Sequence, residues 1–202
     1  MIRNVFPRTA LLGAAAMIAV LAAPAAPLLA ADTYAFDKSH TDVVFRIDHL
    51  GFSDTIGRFN DADGVIVLDE TNPENSRVEV TIQAASLDTN HEERDGHLRG
   101  ADFFNVEAHP TITFVSTAVE RTGDETATVT GELTLLGVTQ TVVLETTLNA
   151  LKAHPIPSYE GVMTAGFSGT TTIKRSDFGM NAFVPAVGDE VAIILEIEAF
   201  KQ

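Results

Sequence analysis

The chain has 202 residues, of which 45% are hydrophobic and 20% are charged, and this composition is typical of a globular domain rather than of a disordered or fibrous chain. It contains no cysteine, which excludes disulfides, thiolate metal sites, cysteine nucleophiles and lipid-modified cysteine anchors. Its 28 acidic residues outnumber 13 basic ones, and the net charge of −15 opposes binding to nucleic acid or to an anionic membrane surface, so nucleic acid is not an expected partner.

The N-terminal segment has the layout of a secretory signal peptide. Arg3 and Arg8 precede an apolar run over residues 10–23, and small residues follow at positions 30 and 31. A membrane anchor is the alternative, but the run is shorter than the roughly 20 apolar residues that a spanning helix needs. The two arginines are not adjacent, which favours a Sec-type signal over a twin-arginine signal. We predict a signal peptide over residues 1–30, cleaved after Ala30, and one mature domain over residues 31–202.

The mature chain alternates apolar and polar residues with a period of two, which is typical of half-buried β-strands. Val43, Phe45 and Ile47 share one strand face, for example, and residues 44, 46 and 48 share the other. With residues 33–37 and 65–69 counted as strands, about eight or nine strands are predicted, and their one-sided alternation favours antiparallel pairing in an all-β barrel or sandwich. The other apolar strand faces are Val78, Val80, Ile82; Ile112, Phe114; Val129, Leu133, Leu135; Val142, Leu144; Phe167, Ile173; and Val191, Ile193, Leu195, Ile197.

One predicted helix interrupts the strands. Thr89 and Glu92 have the spacing of a capping box, and a glycine at position 100 is a stop signal, which together predict a helix over residues 90–99. A glycine inside this segment weakens the helix by about 1 kcal/mol relative to alanine, so tertiary packing must hold it. The apolar residues expected to provide that packing are Leu98, Phe103 and Phe104.

Small residues on the inward strand faces raise the question of a hollow interior. Gly131 precedes Leu133, Ser116 follows Phe114, and Gly169 lies on the same face as its large neighbours. Large and small residues also interdigitate in filled barrels. An eight-stranded barrel is just wide enough either to be filled or to hold one ligand, so the pattern leaves both interpretations open.

The sequence completes neither a metalloprotease histidine motif nor a serine nucleophile motif. His91 and His97 are six residues apart and do not share a helix face, unlike the two histidines of a metalloprotease helix. The remaining histidines meet no known ligand spacing. Neither Ser53 nor Ser168 completes a nucleophile elbow. We predict no catalytic residue and no metal site.

Two polar clusters lie among aromatic residues, one on the predicted helix with Arg94 and Asp95, and one in a late turn with Arg175 and Asp177. In one interpretation, each arginine pairs with an acid and ties its element to the barrel. In the other, the clusters form a polar rim around an apolar mouth. Both interpretations remain open at this point.

Several linked motifs run in a fixed order through the mature chain. They are His49-Leu50-Gly51, the run Arg94-Asp95-Gly96-His97-Leu98-Arg99 with Asp102-Phe103-Phe104, Gly131-Glu132-Leu133-Thr134, and Arg175-Ser176-Asp177-Phe178-Gly179. In these motifs, and from about Tyr34 to Glu198, the sequence resembles the YceI-like family of polyisoprenoid-binding proteins. One departure is Gln140-Thr141, where many relatives carry a basic residue and then proline, and this changes a loop only.

The resemblance implies an all-β fold: an extended antiparallel eight-stranded lipocalin-like β-barrel with one short α-helix and a long hydrophobic tunnel. It implies export to the periplasm and binding of isoprenoid quinones or other long-chain amphiphiles, with no cofactor beyond the bound lipid. In such a fold, the expected ligand-binding residues are Phe45, Phe52, Val80, Ile82, Leu98, Phe103, Phe104, Phe114, Leu133, Leu144, Phe167 and Phe178 in the tunnel, and Arg94, Asp95, Arg175 and Asp177 at its rim.

We therefore predict a carrier or sequestering protein that takes up a prenyl lipid or fatty amphiphile and releases it at a membrane or to a redox partner, with a homodimer compatible with the resemblance. Burying one five-carbon isoprene unit from water stabilises binding by about 4 kcal/mol. A lipid in a bilayer is already out of water, so tunnel shape and the polar rim decide selectivity. The alternatives are an enzyme acting on a prenyl lipid and a stress-related periplasmic interaction protein with a filled barrel.

Overall fold

The computed structural model describes Met1 and residues 31–202. Apart from Met1, the predicted signal peptide lies outside the described residues, and its cleavage stays a prediction. The strands are β1 (Asp32–His49), β2 (Ser53–Phe59), β3 (Ala62–Leu68), β4 (Arg77–Gln83), β5 (Leu87–Asp88), β6 (Thr111–Arg121), β7 (Thr126–Leu135), β8 (Val138–Ala153), β9 (Met163–Lys174) and β10 (Val187–Lys201). The described residues also form one α-helix, α1 (Glu92–Arg99), and 3-10 turns at Pro73–Asn75, Ala84–Ser86, Pro157–Tyr159 and Arg175–Phe178.

The strands form one antiparallel sheet that closes on itself. Neighbouring strands follow the order β10-β9-β8-β7-β6-β4-β3-β1, and β1 pairs again with β10, which closes a barrel of eight strands. β2 continues the path of β3 along β1, and β5 continues the path of β4 along β2. The predicted all-β, eight-stranded antiparallel barrel with one short helix is confirmed.

β1 merges two segments that the sequence pattern separates into two strands. Its pairing with β10 is interrupted after Phe36, where four residues of β1 lie opposite Glu198 alone. Asp37 organises this bulge, because its carboxylate accepts hydrogen bonds from the backbone N–H and hydroxyl of Ser39 and lies 2.6 Å from Nδ1 of His40. Such a bulge re-aims a strand without ending it, and the period-two pattern restarts beyond it.

The helix begins later than predicted, and its cap is a different residue. Nδ1 of His91 accepts a hydrogen bond from the backbone N–H of Arg94, so His91 and not Thr89 is the N-cap. The Thr89 hydroxyl does not serve as a cap because it donates to the buried carboxylate of Asp95. The predicted packing is confirmed, since Leu98 and Phe104 pack on the same core cluster that contains Phe103.

The carboxylate of Asp95 joins the first turn of the helix to Thr89, the residue that follows β5. It accepts hydrogen bonds from the Thr89 hydroxyl and, at 2.9 Å, from the Thr89 backbone N–H. Burial alone would raise the pKa of Asp95, but the hydrogen bonds from Thr89 and the charges of Arg99 and Arg94 together lower it. An acid whose pKa is lowered in the folded state stabilises the fold above its unfolded-state pKa, and this contribution is lost as the pH falls through the folded-state pKa.

We therefore expect Asp95→Asn to lower the free energy of unfolding at pH 7 and to make stability less dependent on pH below about pH 4, where an unfolded aspartate titrates. Urea unfolding of both proteins at pH 7 and pH 3 measures this difference. The exposed Asp177 provides the control, and Asp177→Asn is expected to unfold as the parent protein does. If the free energy of unfolding falls by the same amount between pH 7 and pH 3 in Asp95→Asn and in the parent protein, the stabilising role of the Asp95 carboxylate is contradicted.

Candidate functional site

The interior of the barrel is hollow. A cavity of about 460 Å³, the helix-end cavity, lies beneath α1, and a cavity of about 370 Å³, the far cavity, occupies the opposite end. The two meet in mid-barrel, where the same four side chains line both, and each is within the size range of small-molecule sites. Of the two interpretations that the sequence left open, the structure therefore supports the hollow one. The four shared residues, called the waist below, are Val43, Ile82, Leu133 and Ile193.

Glycines in the barrel wall explain why large aromatic residues leave this space open. In each case a phenylalanine ring lies within 3 Å of the place that the Cβ of the facing residue would occupy if that residue were not glycine, so the ring packs against the backbone of the wall. A Cβ added at Gly57 would lie 2.3 Å from Cζ of Phe45, its direct cross-strand partner. The three pairs are Phe36 with Gly64, Phe45 with Gly57, and Phe114 with Gly131.

We expect Gly131→Ala to destabilise the fold and to narrow the far cavity. Its Cβ would lie 2.4 Å from Cζ of Phe114 and 2.7 Å from the Val115 carbonyl oxygen, so the ring must move toward the axis. Overpacking of this kind lowers the free energy of unfolding by about 1–3 kcal/mol. In the control, Gly166→Ala, the added Cβ would lie 3.8 Å from Cβ of Asn149, at ordinary contact distance, and we expect no loss of stability. Urea unfolding gives the free energy of unfolding of each variant. Equal values for Gly131→Ala and Gly166→Ala would show that the position of the Phe114 ring does not require a glycine at residue 131.

The mouth of the helix-end cavity is formed by three separate segments. Leu50 comes from the turn between β1 and β2, Arg94 and His97 come from α1, and Phe183 comes from the loop before β10. The rings of His97 and Phe103 meet edge to face at 5.1 Å, and the rings of Phe103 and Phe183 stack at 6.1 Å. These aromatic contacts join the helix to the loop and fix the shape of the mouth.

Arg175 is a buried cation in the wall of the helix-end cavity, with 2% of its surface exposed. Its Nε donates to the carbonyl oxygen of Gly188, Nη1 donates to that of Met180, and Nη2 donates to that of Val187, at 2.8–3.1 Å. Burial lowers the pKa of Arg175, and the nearby Asp189 carboxylate opposes that shift. A guanidinium carries five N–H donors, and the backbone carbonyls of Gly188, Met180 and Val187 accept three of those of Arg175.

Arg94 occupies the mouth in a fixed position. Its Nε donates to the hydroxyl oxygen of Thr89 and its Nη2 donates to the Thr89 carbonyl oxygen, both at 2.7 Å. The same threonine donates hydrogen bonds from its hydroxyl and its backbone N–H to the carboxylate of Asp95. Neither Arg94 with Asp95 nor Arg175 with Asp177 forms the ion pair of the first interpretation. Arg94 bonds to Thr89, and Arg175 bonds to backbone carbonyls that tie its turn to β10.

Most of the residues predicted for the tunnel and rim lie along the cavities. The helix-end cavity is lined by Phe45, Leu98, Phe103, Phe104, Arg94 and Arg175; the far cavity by Val80, Phe114, Leu144 and Phe167; and both by Ile82 and Leu133. Whether these residues contact a ligand stays a prediction.

Four predicted residues lie outside the lining of both cavities. Phe52 is 88% exposed, because it follows the left-handed Gly51 at the tip of the hairpin and points away from the barrel. Phe178 is buried in the core beneath the 3-10 turn that contains it, while Asp177 in the same turn is exposed. The carboxylate of Asp95 faces Thr89.

Sequence reasoning did not select several residues that line the cavities. Val43 and Ile193 lie at the waist, and period-two alternation places both on inward faces, so the signal was present. Leu50 and Phe183 lie in irregular segments, where no period indicates which way a side chain points. The far cavity is lined at the opposite end of the barrel by charged residues of strand ends and of a loop, including Arg77, Arg121, Asp124 and Glu125.

One group of side chains in the described part of the chain has the geometry to hold a metal ion. Asp37, His40 and Glu198 each offer a ligand atom, and these atoms lie within 4.8 Å of one another. Glu198 also lies 3.4 Å from Nε2 of His154. Asp37 already accepts the hydrogen bonds that shape the β1 bulge, so the group has a structural role without a metal. The absence of a metal site stays a prediction.

Comparisons with known proteins agree with this architecture. A family model described as "YceI-like domain" matches residues 34–199. The chain is 47% identical over 176 residues to a UPF0312 protein of Ectopseudomonas mendocina, an alignment that covers 86% of this chain and 90% of the relative. No helix among the described residues is long and apolar enough to cross a membrane.

Solved structures share the fold. The YceI protein of Campylobacter jejuni is 34% identical and superimposes with a TM-score of 0.69, covering 82% of this chain and 96% of the other. A polyisoprenoid binding domain from Saccharophagus degradans superimposes with a TM-score of 0.66 at 13% identity, covering 85% of this chain and 99% of that domain. At this low identity the second likeness concerns the fold alone.

Proposed function

Because the chain belongs to the YceI-like family, we propose that it binds one long-chain amphiphilic lipid of the polyisoprenoid class lengthwise inside the barrel. The observation that carries the proposal is the pair of cavities that meet at the waist, with apolar walls and with polar groups concentrated at the two ends. A Saccharophagus degradans domain of the same fold is a polyisoprenoid binding domain, which supports the choice of lipid class.

We propose that the head group lies in the helix-end cavity and that the tail passes the waist into the far cavity. Arg94 and Arg175 both line the helix-end cavity, and the exposed Arg94 has N–H donors beyond the two that it gives to Thr89. A head group with oxygen acceptors, such as a quinone carbonyl, suits these donors. The far cavity then accepts an apolar chain against Phe114 and Phe167.

A carrier role fits the energetics of transfer from a membrane. A prenyl chain gains little free energy on moving from a bilayer to an apolar cavity, because neither environment exposes it to water. Loading and release are therefore close to balanced, as a carrier requires. We propose export to the periplasm after cleavage at Ala30, which removes Arg3 and Arg8 and no acidic residue and so takes the net charge from −15 to −17. This charge disfavours long residence on anionic lipid.

The proposal is tested by titrating the purified, lipid-stripped protein with isoprenoid alcohols of increasing length delivered from cyclodextrin. We expect one ligand per chain and an affinity that rises with length until the cavities are filled. Arg94→Ala is expected to change the preference between quinone and alcohol head groups without changing the preferred length, whereas Arg46→Ala, an exposed arginine on the outer wall, is expected to change neither. Failure to bind any chain, or affinity independent of length, would refute the proposal, and turnover of the ligand would favour an enzyme.

A further inference from the structure

Three large apolar side chains are exposed at the mouth of the helix-end cavity. Leu50 is 48% exposed, Phe52 is 88% exposed and Phe183 is 58% exposed. They come from two loops that are joined by a hydrogen bond from the backbone N–H of Leu50 to the carbonyl oxygen of Ala186 at 3.1 Å. Leu50 and Phe183 also line the cavity, so the apolar surface continues from the outside of the molecule into its interior.

The backbone at two of these residues is strained. Leu50 has φ of 61° and Phe183 has φ of 60°, values in the left-handed region that bulky side chains rarely adopt. Asparagine or glycine would occupy such positions at lower cost and would not expose an apolar side chain. The chain therefore combines backbone strain and solvent exposure at the same place, which is typical of functional loops.

The charge of the protein restricts which surface such a patch can contact. With a net charge of −15, the protein is repelled by anionic lipid, so contact with a bilayer must come from apolar insertion into a neutral, zwitterionic surface. Aromatic side chains on exposed tips partition well into the interfacial layer of such a bilayer. Leu50 and Phe183 also line the same cavity as Arg94, so a bilayer in contact with the patch lies beside the helix-end cavity.

We infer that Leu50, Phe52 and Phe183 insert into the surface of a zwitterionic bilayer and hold the mouth of the helix-end cavity in contact with that surface. A lipid then enters the barrel without its chain crossing water. This inference rests on the proposed lipid-binding function and adds its docking surface. It also gives a role to Phe52, which lies outside both cavities although it was expected in the tunnel.

A tryptophan at the patch gives a direct test, because the chain contains none. Phe52→Trp places a single reporter at the tip, and Ile156→Trp is the matched control, since Ile156 is 53% exposed and lies in the loop between β8 and β9 at the opposite end. With phosphatidylcholine vesicles that contain brominated lipid, we expect the emission of Phe52→Trp to shift to the blue and to be quenched, and that of Ile156→Trp to remain unchanged. High salt should not reverse the shift, because the contact is apolar.

The variant Phe52→Ser tests the consequence for function. We expect its affinity for phosphatidylcholine vesicles to fall about tenfold, because most of the transfer free energy of the ring is lost, and the rate of lipid uptake from vesicles to fall with it. Binding of an isoprenoid alcohol delivered from cyclodextrin should be unchanged.

Two further outcomes separate this inference from the proposed function. If the parent protein binds no chain from cyclodextrin, the proposed function fails. If cyclodextrin loading is intact but Phe52→Trp is no more quenched than Ile156→Trp, only the docking inference fails. A blue shift that appears without vesicles and depends on protein concentration would assign the patch to a second copy of the chain and would overturn the lipid surface.

Discussion

The variant Ile193→Phe is expected to lose binding of long isoprenoid chains while retaining short ones. Ile193 is one of the four waist residues that line both cavities, so a phenyl ring at this position adds volume where the two cavities adjoin. An isoprenoid chain that no longer reaches the far cavity leaves its terminal isoprene units unburied, and burial of each unit contributes about 4 kcal/mol relative to water. We therefore expect the affinity for long chains to fall by about 100-fold or more. Titration with a chain-length series delivered from cyclodextrin measures the effect.

The neighbouring residue provides the control for this variant. Ile194 is 42% exposed on the outer face of the same strand, so Ile194→Phe adds the same ring outside the barrel and is expected to leave the length dependence intact. Because the interior has room for the added ring, Ile193→Phe should change the free energy of unfolding by less than the roughly 1–3 kcal/mol that overpacking costs in a filled core. Unchanged affinity of Ile193→Phe for the longest chains would show that no ligand passes the waist.

Arg175→Met is expected to lower the free energy of unfolding by about 3 kcal/mol, which corresponds to a fall in Tm of about 6–12 °C for a domain of this size. The guanidinium binds three backbone carbonyls from the segment after its own turn and from the start of β10. Methionine retains the apolar stem but leaves these acceptors without a donor. Thermal and urea unfolding measure the loss.

Two variants separate the geometry of Arg175 from its charge. Arg175→Lys retains the positive charge, but a single ammonium group cannot reach three separated carbonyls, so we expect an intermediate loss of stability. Arg46→Met removes an exposed arginine from the outer wall, and we expect little change, as for most surface substitutions. An Arg175→Met protein that unfolds like the parent would mean that this side chain serves only the ligand.

The orientation of the strands could be predicted from the sequence because the period of two does not depend on which strands pair. Val43 and Phe45 are inward for the same reason that Arg46 is outward, and the closed, eight-stranded form followed once the motifs indicated the family. The helix was predicted to within two residues at its start, but its cap was not, because the Thr89 hydroxyl binds Asp95 in the folded protein. A capping pattern in the sequence does not reveal such a competing partner.

The hollow interior was expected from the family resemblance, but the residue pattern alone could not predict it, because it depends on register. Gly57 leaves space for the ring of Phe45, which faces it across the hairpin, and Gly131 leaves space for the ring of Phe114 on the neighbouring strand β6. Composition counts the glycines and phenylalanines but does not pair them. The misplacement of Phe52 has a similar cause, since the left-handed residues of the hairpin tip break the alternation that assigns side chains to a face.

The proposal that the barrel carries one long-chain lipid is tested most directly by native mass spectrometry of the protein purified from cells that export it, followed by organic extraction and identification of any bound compound. We expect a single mass increment for each chain, and an extract that contains a prenyl lipid or another long-chain amphiphile. A protein that is free of ligand and also fails to take up added isoprenoid quinone would contradict the proposed function.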